Sequence, residues 1–183
     1  MALDLFKLAK LTIAAFTDSK REKKSGDPLE VQYNPETLSL KYETVFQNKQ
    51  GIATSSAQAR FSHSRSKQLD VKLVFDGTEV GYYGVQLIPR LTHVPTVAKR
   101  VQAFFDSCYR LDGEIHEPAY LRLSWGRLPW GHTGELATGF DCRLQSADIK
   151  YTAFNRDGSP LQAELDAVFV EDLDPEKKSS LDR

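Results

Sequence analysis

Two cysteines, Cys108 and Cys142, are too few to staple a chain of 183 residues, so no disulfide framework is expected. Both read as reduced, half-buried thiols, because free cysteine behaves as a small hydrophobe. Histidine is almost as scarce. His63, His93, His116 and His132 are scattered without the His-Glu-x-x-His or Cys-x-x-Cys spacing of the common zinc sites. His116 lies between Glu114 and Glu117 and offers ligands to a cation, although an exposed loop is the commoner meaning of such a cluster. A Gly-x-Ser-x-Gly elbow for a hydrolase nucleophile is missing. Gly77, Gly81 and Gly84 lack the spacing of phosphate-binding and dinucleotide-binding loops. No catalytic residue, metal ligand, cofactor-binding residue or cofactor is therefore expected, and the chain does not read as an enzyme.

Charge of one sign is lacking too. The formal net charge is -1 and the pI about 6.4, without the basic excess of a duplex-binding protein, so nucleic acid is not an expected partner. No stretch approaches the ~20 apolar residues of a membrane span, and no direct membrane insertion is expected. Asp4, Lys7 and Lys10 interrupt the mildly apolar N-terminus, which leaves no signal-peptide core. Synthesis in the cytoplasm without a signal peptide is the expectation.

What is present is a folding chain. It is 40% apolar, and its length suits one domain with a full core. The clearest unit runs from Ser146 to Val170. Two strand-type runs flank Asn155-Arg156-Asp157-Gly158-Ser159-Pro160. Asp157-Gly158 suits a tight turn, and Pro160 ends it, so the unit predicts a β-hairpin. In its second arm Leu161, Ala163, Leu165, Ala167 and Phe169 share one face, opposite Gln162, Glu164 and Asp166. A shift in the alternation near Ser146 predicts a β-bulge.

Upstream, the pattern from Leu8 to Phe16 predicts a first strand. The basic run from Lys20 to Pro28 reads as a solvated loop. Val31-Gln32-Tyr33 is extended and is broken at Asn34-Pro35, since proline cannot donate a ladder hydrogen bond. Leu38, Leu40 and Tyr42 then share a face, in an extended run that reaches Phe46. Gln47 to Lys67 reads as a long mobile polar loop. Gln68 to Asp76 alternates as a strand, with Leu69, Val71, Leu73 and Phe75 on one side. An apolar stripe of Val97, Val101, Phe104, Phe105 and Cys108 predicts the one helix, about residues 95–109, with Pro95 in its first turn. A further strand spans Ala119 to Trp125 and stops at Gly126, and a last β region begins at Gly134.

These elements predict a mainly β fold: a small barrel or sandwich of two antiparallel sheets, six or seven strands, with one packed helix. Residues 1–172 read as a single β domain and residues 173–183 as a charged, fraying tail. The sheets are short of apolar residues for a closed core on both sides, so partners are expected to complete edges or faces. Trp125, Trp130 and Tyr120 offer a sugar-stacking surface. The commoner reading places Trp125 in the core and Trp130 in a Gly-Pro turn.

Four segments then line up in order: Val31-Gln-Tyr-Asn-Pro-Glu-Thr-Leu38, Leu73-Val-Phe-Asp-Gly-Thr78, Leu121-Arg-Leu-Ser-Trp-Gly126, and Tyr151 to Ala163 around Asp157-Gly158. Together they resemble the tube-type proteins of contractile injection systems, in particular the tube-initiator or baseplate-adaptor branch whose longer members carry a C-terminal LysM module. No LysM module follows Asp172 in this sequence, so any anchoring it gives is expected from another chain. The resemblance implies a homo-hexameric ring with inner strands joined across subunits. It implies tube proteins above the ring, a trimeric spike and hub below, and other baseplate proteins around it. The whole would be a phage-tail-like particle, released or membrane-attached. Asn34, Pro35, Phe75, Asp76, Trp125, Gly126, Asp157, Gly158 and Pro160 are expected to shape turns and core within each subunit. Contacts between rings are expected from Gln47 to Lys67. The alternatives are a main inner-tube subunit and a carbohydrate- or cell-wall-binding β-sandwich.

Overall fold

Strand-type alternation accounts for most of the architecture. The computed structural model describes residues 8–47, 59–78, 96–111, 113, 116–130, 139–175 and 179. Nine strands and one helix fall within them: β1 (Thr12–Phe16), β2 (Leu29–Glu30), β3 (Leu38–Lys41), β4 (Thr44–Gln47), β5 (Arg60–Ser64), β6 (Gln68–Asp76), α1 (Val97–Cys108), β7 (Tyr120–Ser124), β8 (Phe140–Phe154) and β9 (Pro160–Glu171). They form a seven-stranded antiparallel sheet, in the order β2-β1-β7-β8-β9-β6-β3, and a separate β4-β5 pair. The expected mainly β fold, with two antiparallel sheets and one helix, is what the chain adopts. The barrel alternative is corrected, because no ladder joins β2 to β3 among the described residues.

The core lies on one face of the large sheet. Leu69, Leu73, Leu165, Phe169, Leu121 and Leu123 are fully buried there. Each such side chain is stabilised by about 1.5–3 kcal/mol through burial. Helix α1 lays Val97, Val101, Phe104 and Cys108 onto β9, β6 and β2. The helix starts at Val97, the first residue of its stripe and two residues later than the expected 95. Thr96 is the N-cap, and its hydroxyl accepts from the Lys99 N–H at 3.4 Å, which satisfies a donor the helix leaves free. Pro95 lies outside the described residues, as do Gly81, Gly84, His93, Glu114, His132, residues 48–58, 134–138 and most of the tail. The bulge expected near Ser146 is present as a register shift between Leu144 and Ser146.

The basic run from Lys20 to Pro28 is largely exposed, as expected, and is corrected at Arg21, which is buried. Residues 17–25 fold back beside β1, with Ser25 N donating to Ala15 O at 2.8 Å. Asp18 holds the turn by accepting from the Lys23 and Glu22 N–H groups. The Lys23 amide, above all, holds the Asp18 carboxyl below its ordinary range against slight desolvation. This geometry turns Arg21 inward at φ 58, with its side chain 1% exposed. Its guanidinium donates to the backbone oxygens of Leu121, Ser19, Cys142 and Asp172 and lies 3.5 Å from the Asp141 carboxylate. Tyr120, Arg122, Asp141 and Arg143 surround it. They alternate with the core residues Leu121, Leu123, Phe140 and Cys142, so this ionic layer lies on the sheet's second face. The Arg143 guanidinium lies 3.9 Å and that of Arg21 5.7 Å from the centre of the Tyr120 ring.

Two smaller expectations change with it. The chain past β9 does not fray at once: Asp172 N donates to Asp141 O at 3.0 Å, and Asp174 is buried. The thiols are wholly buried, not half-buried, because Cys108 ends the helix stripe and Cys142 faces the same core from β8.

Candidate assembly surfaces

Three of the four sequence motifs meet at one corner of the sheet. The Asn34 side chain behaves as a strand residue would. Its Oδ1 accepts from Leu11 N at 2.9 Å and its Nδ2 donates to Ala9 O at 2.8 Å. Pro35 follows, where a proline costs no ladder bond. The Trp125 indole N–H donates to the same Ala9 oxygen at 3.1 Å. Gly126 turns the chain at φ +51, where a Cβ would stand 3.3 Å from the Ala9 methyl.

Two residues earlier, the Gln32 amide bonds both the N–H and the C=O of Asp76, at 3.0 and 2.7 Å. Side-chain amides thus bridge the gap that the strand ladders leave open between the β1 end and the β6 end. Gln32 was legible only as the polar member of an alternating run, with nothing to mark its partner. Beside it, Phe75 is buried in the core. The Asp76 carboxyl accepts from the Thr78 hydroxyl and N–H. Desolvation pushes that carboxyl up, but the Thr78 bonds and Gln162 outweigh it and hold it below the ordinary range.

Replacing Gln32 or Asn34 with alanine is expected to cost about 1–3 kcal/mol, the penalty of leaving backbone groups unmatched. Asn34→Asp should recover only part of this, since it loses the donor to Ala9. Urea unfolding midpoints of the three variants test both statements.

The fourth motif reaches this corner through Gln162, which bonds Asp76, while its hairpin tip is a separate unit. Asn155 N donates to Ser159 O and Gly158 N to Asn155 O, with Gly158 at φ +83. This is a three-residue hairpin loop ending on a left-handed residue. Asp157 accepts from the Ser159 hydroxyl and N–H, and those bonds hold its carboxyl below the ordinary range. Pro160 opens β9 opposite Phe154.

The sugar-stacking surface is not assembled. Trp130 is buried and stacks on Phe140 at 6.0 Å, Trp125 is half-buried with its N–H engaged, and the Tyr120 ring is engaged by Arg143 and Arg21. Among the described residues no group of histidine, cysteine and carboxylate side chains is placed to hold a metal ion.

Open sheet edges are the main unpartnered features. Strand β7 pairs with β8 only at Phe140, Asp141 and Cys142. From Arg143 to Phe154 the edge of β8 away from β9 has no strand beside it among the described residues. At the opposite border, β3 covers β6 only from Gln68 to Val71, while β6 runs on to Asp76. Apolar side chains at both borders are incompletely covered. Leu38 and Leu40 lie at one, and Leu144, Ala147 and Ile149 at the other. Tyr151 and Phe154 are exposed at the end of β8, their rings 6.4 Å apart. A trough of about 640 Å³ lies between residues 33–37 and the ends of β6, β9 and β8, lined by Tyr33, Glu36, Lys72, Val74, Thr152 and Glu164 among others.

The expected polar loop from Gln47 to Lys67 is corrected at both ends. Gln47 closes β4 and Arg60–Ser64 is β5, paired with a bulge between Val45 and Phe46. Phe46 opposes Phe61, and both are exposed. With Phe61 as its one apolar member, β5 alternates too sparsely to mark a strand. A two-stranded hairpin is marginal alone in water, and its aromatic pair is uncovered among the described residues.

The family model described as contractile injection system tube protein matches residues 7–180. No curated protein matches the chain.

Proposed function

This chain belongs to the contractile injection system tube protein family, and we propose that it forms a hexameric ring joining the baseplate spike and hub to the inner tube. There it nucleates tube assembly by presenting a template surface to the next ring. The carrying observation is the pair of open borders, β8 on one side and β3 with β6 on the other, of one four-stranded segment. Edges of different sequence on opposite sides favour head-to-tail pairing, and such pairing closes into a ring when the rotation permits. The incompletely covered residues at both borders, Leu38 and Leu40 on one and Leu144, Ile149 and Tyr151 on the other, support burial against a second copy.

Contact between rings falls to the β4-β5 hairpin and the residues it connects, with Phe46 and Phe61 as the apolar anchor. The motif corner around Ala9, with Asn34, Pro35, Phe75, Asp76, Trp125 and Gly126, shapes the subunit, and Asp157, Gly158 and Pro160 set the hairpin tip. Spike, hub, tube and baseplate proteins are the partners of this reading, in a particle assembled from chains made in the cytoplasm. No helix among the described residues is long and apolar enough to cross a membrane.

Electron microscopy of particles recovered through a tag on this chain tests the role. One labelled six-fold ring at the baseplate end is the expected result. Label along the whole inner tube makes the chain a main tube subunit instead. A free monomer without sheath or spike proteins removes the assembly reading.

A further inference from the structure

The β4-β5 arm continues strands β3 and β6 through a kink. The rung of the large sheet nearest the arm pairs Lys41 with Gln68, and the first rung of the arm pairs Thr44 with Ser64. Between these rungs Tyr42 and Glu43 stand against Arg65, Ser66 and Lys67, so one strand carries an extra residue. An extra residue bends a ladder and strengthens its twist. Beyond the kink the arm has little support of its own. Every residue of β5 is exposed, and in β4 only Val45 is half-buried. Among the described residues, the contacts that can fix the arm's direction therefore lie in the kink.

A first set lies at the surface. Arg65 N donates to Glu43 O at 2.9 Å. The Glu43 carboxylate takes the Arg65 guanidinium at 3.0 Å and the Lys41 ammonium at 3.4 Å. One carboxylate ties the foot of β5 to the end of β3. A second set lies deeper, around the buried Lys67. Its ammonium is 3.5 Å from the Glu171 carboxylate at the end of β9. The same ammonium is 5.1 Å from the centre of the Tyr42 ring, a cation–π contact. The Lys67 N–H donates to the Glu171 carboxylate at 3.4 Å, and the Lys67 C=O accepts from the Glu171 N–H at 2.8 Å. Lys67 is anchored to the sheet, and Tyr42 is held to Lys67 from the side of the arm. A buried ion pair is a weak source of stability, because desolvation offsets its attraction; its best-attested use is to fix one geometry among several.

We propose that Tyr42, Glu43 and Lys67 are positioning residues, which fix the angle between arm and sheet in the free subunit and so aim Phe46 and Phe61 at the next ring before it arrives. The inference rests on the reading of the arm as the contact between rings. An arm free to swing must be ordered on docking, and that ordering is subtracted from the affinity. The two sets of contacts differ in their response to salt. Lys41 and Arg65 are exposed, so salt screens their attraction to Glu43. The Lys67 and Glu171 side chains are each 10% exposed and are screened much less. High salt is expected to loosen the arm without releasing it.

Spin labels on Ser62→Cys in β5 and Gln102→Cys in α1 of the full-length chain report the arm's direction, because the native thiols are buried and do not compete. Double electron–electron resonance on free subunits is expected to give one narrow distance distribution. Tyr42→Leu combined with Glu43→Gln should widen that distribution about twofold and slow ring stacking about tenfold, the effect of ordering a loosened arm on docking. Tyr42→Phe keeps a ring over Lys67 and should leave the distribution narrow. A merely apolar role for Tyr42 would let leucine do as well as phenylalanine. A broad distribution with the kink unaltered, or an equally narrow one in the double variant, would overturn the clamp whatever the subunits assemble into. A widened distribution with unchanged stacking would overturn the link between aim and assembly. Subunits that show the clamp but never stack would remove the ring reading and uphold the clamp.

Discussion

Arg21→Ala is expected to destabilise the subunit by about 3–5 kcal/mol, the cost of breaking a buried ionic network from one side. With a urea dependence of about 1–3 kcal/mol per molar, the unfolding midpoint should fall by roughly 2 M. The magnitude follows from what the guanidinium leaves behind. Four backbone oxygens, on Ser19, Leu121, Cys142 and Asp172, lose a donor together. The Asp141 carboxylate stays buried with Arg122, which bonds it at 2.6 and 3.2 Å. Arg21→Lys should not rescue, because an ammonium is a point charge without the planar fork that reaches several acceptors at once. Arg21 also ties three distant stretches: the loop after β1, the β7-β8 pair and the chain past β9. Hydrogen exchange should therefore rise together at residues 17–25 and 172–174 in the variant. A loss below about 1 kcal/mol would mean that water satisfies these groups and that the layer is only surface decoration.

How far the sequence carried depended on the kind of interaction. Strands with one face fully buried were legible, because alternation registers burial directly. Leu69, Val71, Leu73 and Phe75 in β6, and Ala163 to Phe169 in β9, lie where their period of two puts them. The helix stripe was legible for the same reason, and its start was misplaced by two residues because Pro95 drew attention from the Thr96 cap. Arg21 was illegible. A basic residue among Lys20, Glu22, Lys23 and Lys24 looks solvated, and only its left-handed backbone turns it under the sheet. Likewise nothing local pairs Gln32 with Asp76, 44 positions away. Strand β5 was missed because its cover, if the ring reading holds, is another molecule, and a pattern that records burial within one chain does not record burial between chains. Of the expected motif residues, Asn34, Trp125 and Gly126 converge on Ala9, and nothing in their spacing announced it.

The second large effect concerns alkaline pH. Burial pushes the Cys108 thiol up from its ordinary value of 9.0 to about 12. Burial raises Cys142 well above that ordinary value too, although the Arg21 charge works the other way. In the unfolded chain both thiols ionise near 9, while in the folded chain they stay protonated until far higher. Their contribution to stability is therefore complete below pH 9 and is lost as pH rises from there toward 12. The slope is about 1.36 kcal/mol per pH unit for each thiol, so Cys108 alone accounts for about 4 kcal/mol by pH 12. Unfolding free energy measured from pH 8 to 11 should fall steeply, and Cys108→Ala should flatten the curve even though the cavity it opens lowers the curve at neutral pH. The slope, not the level, carries the test, because exposed lysines and tyrosines titrate in both proteins alike. The same burial makes a kinetic statement: a thiol reagent at pH 8 should label neither cysteine until the chain unfolds. Rapid labelling of native protein, or identical slopes with and without Cys108, would show that the space between α1 and β8 admits water and that the helix is not seated on the sheet as described.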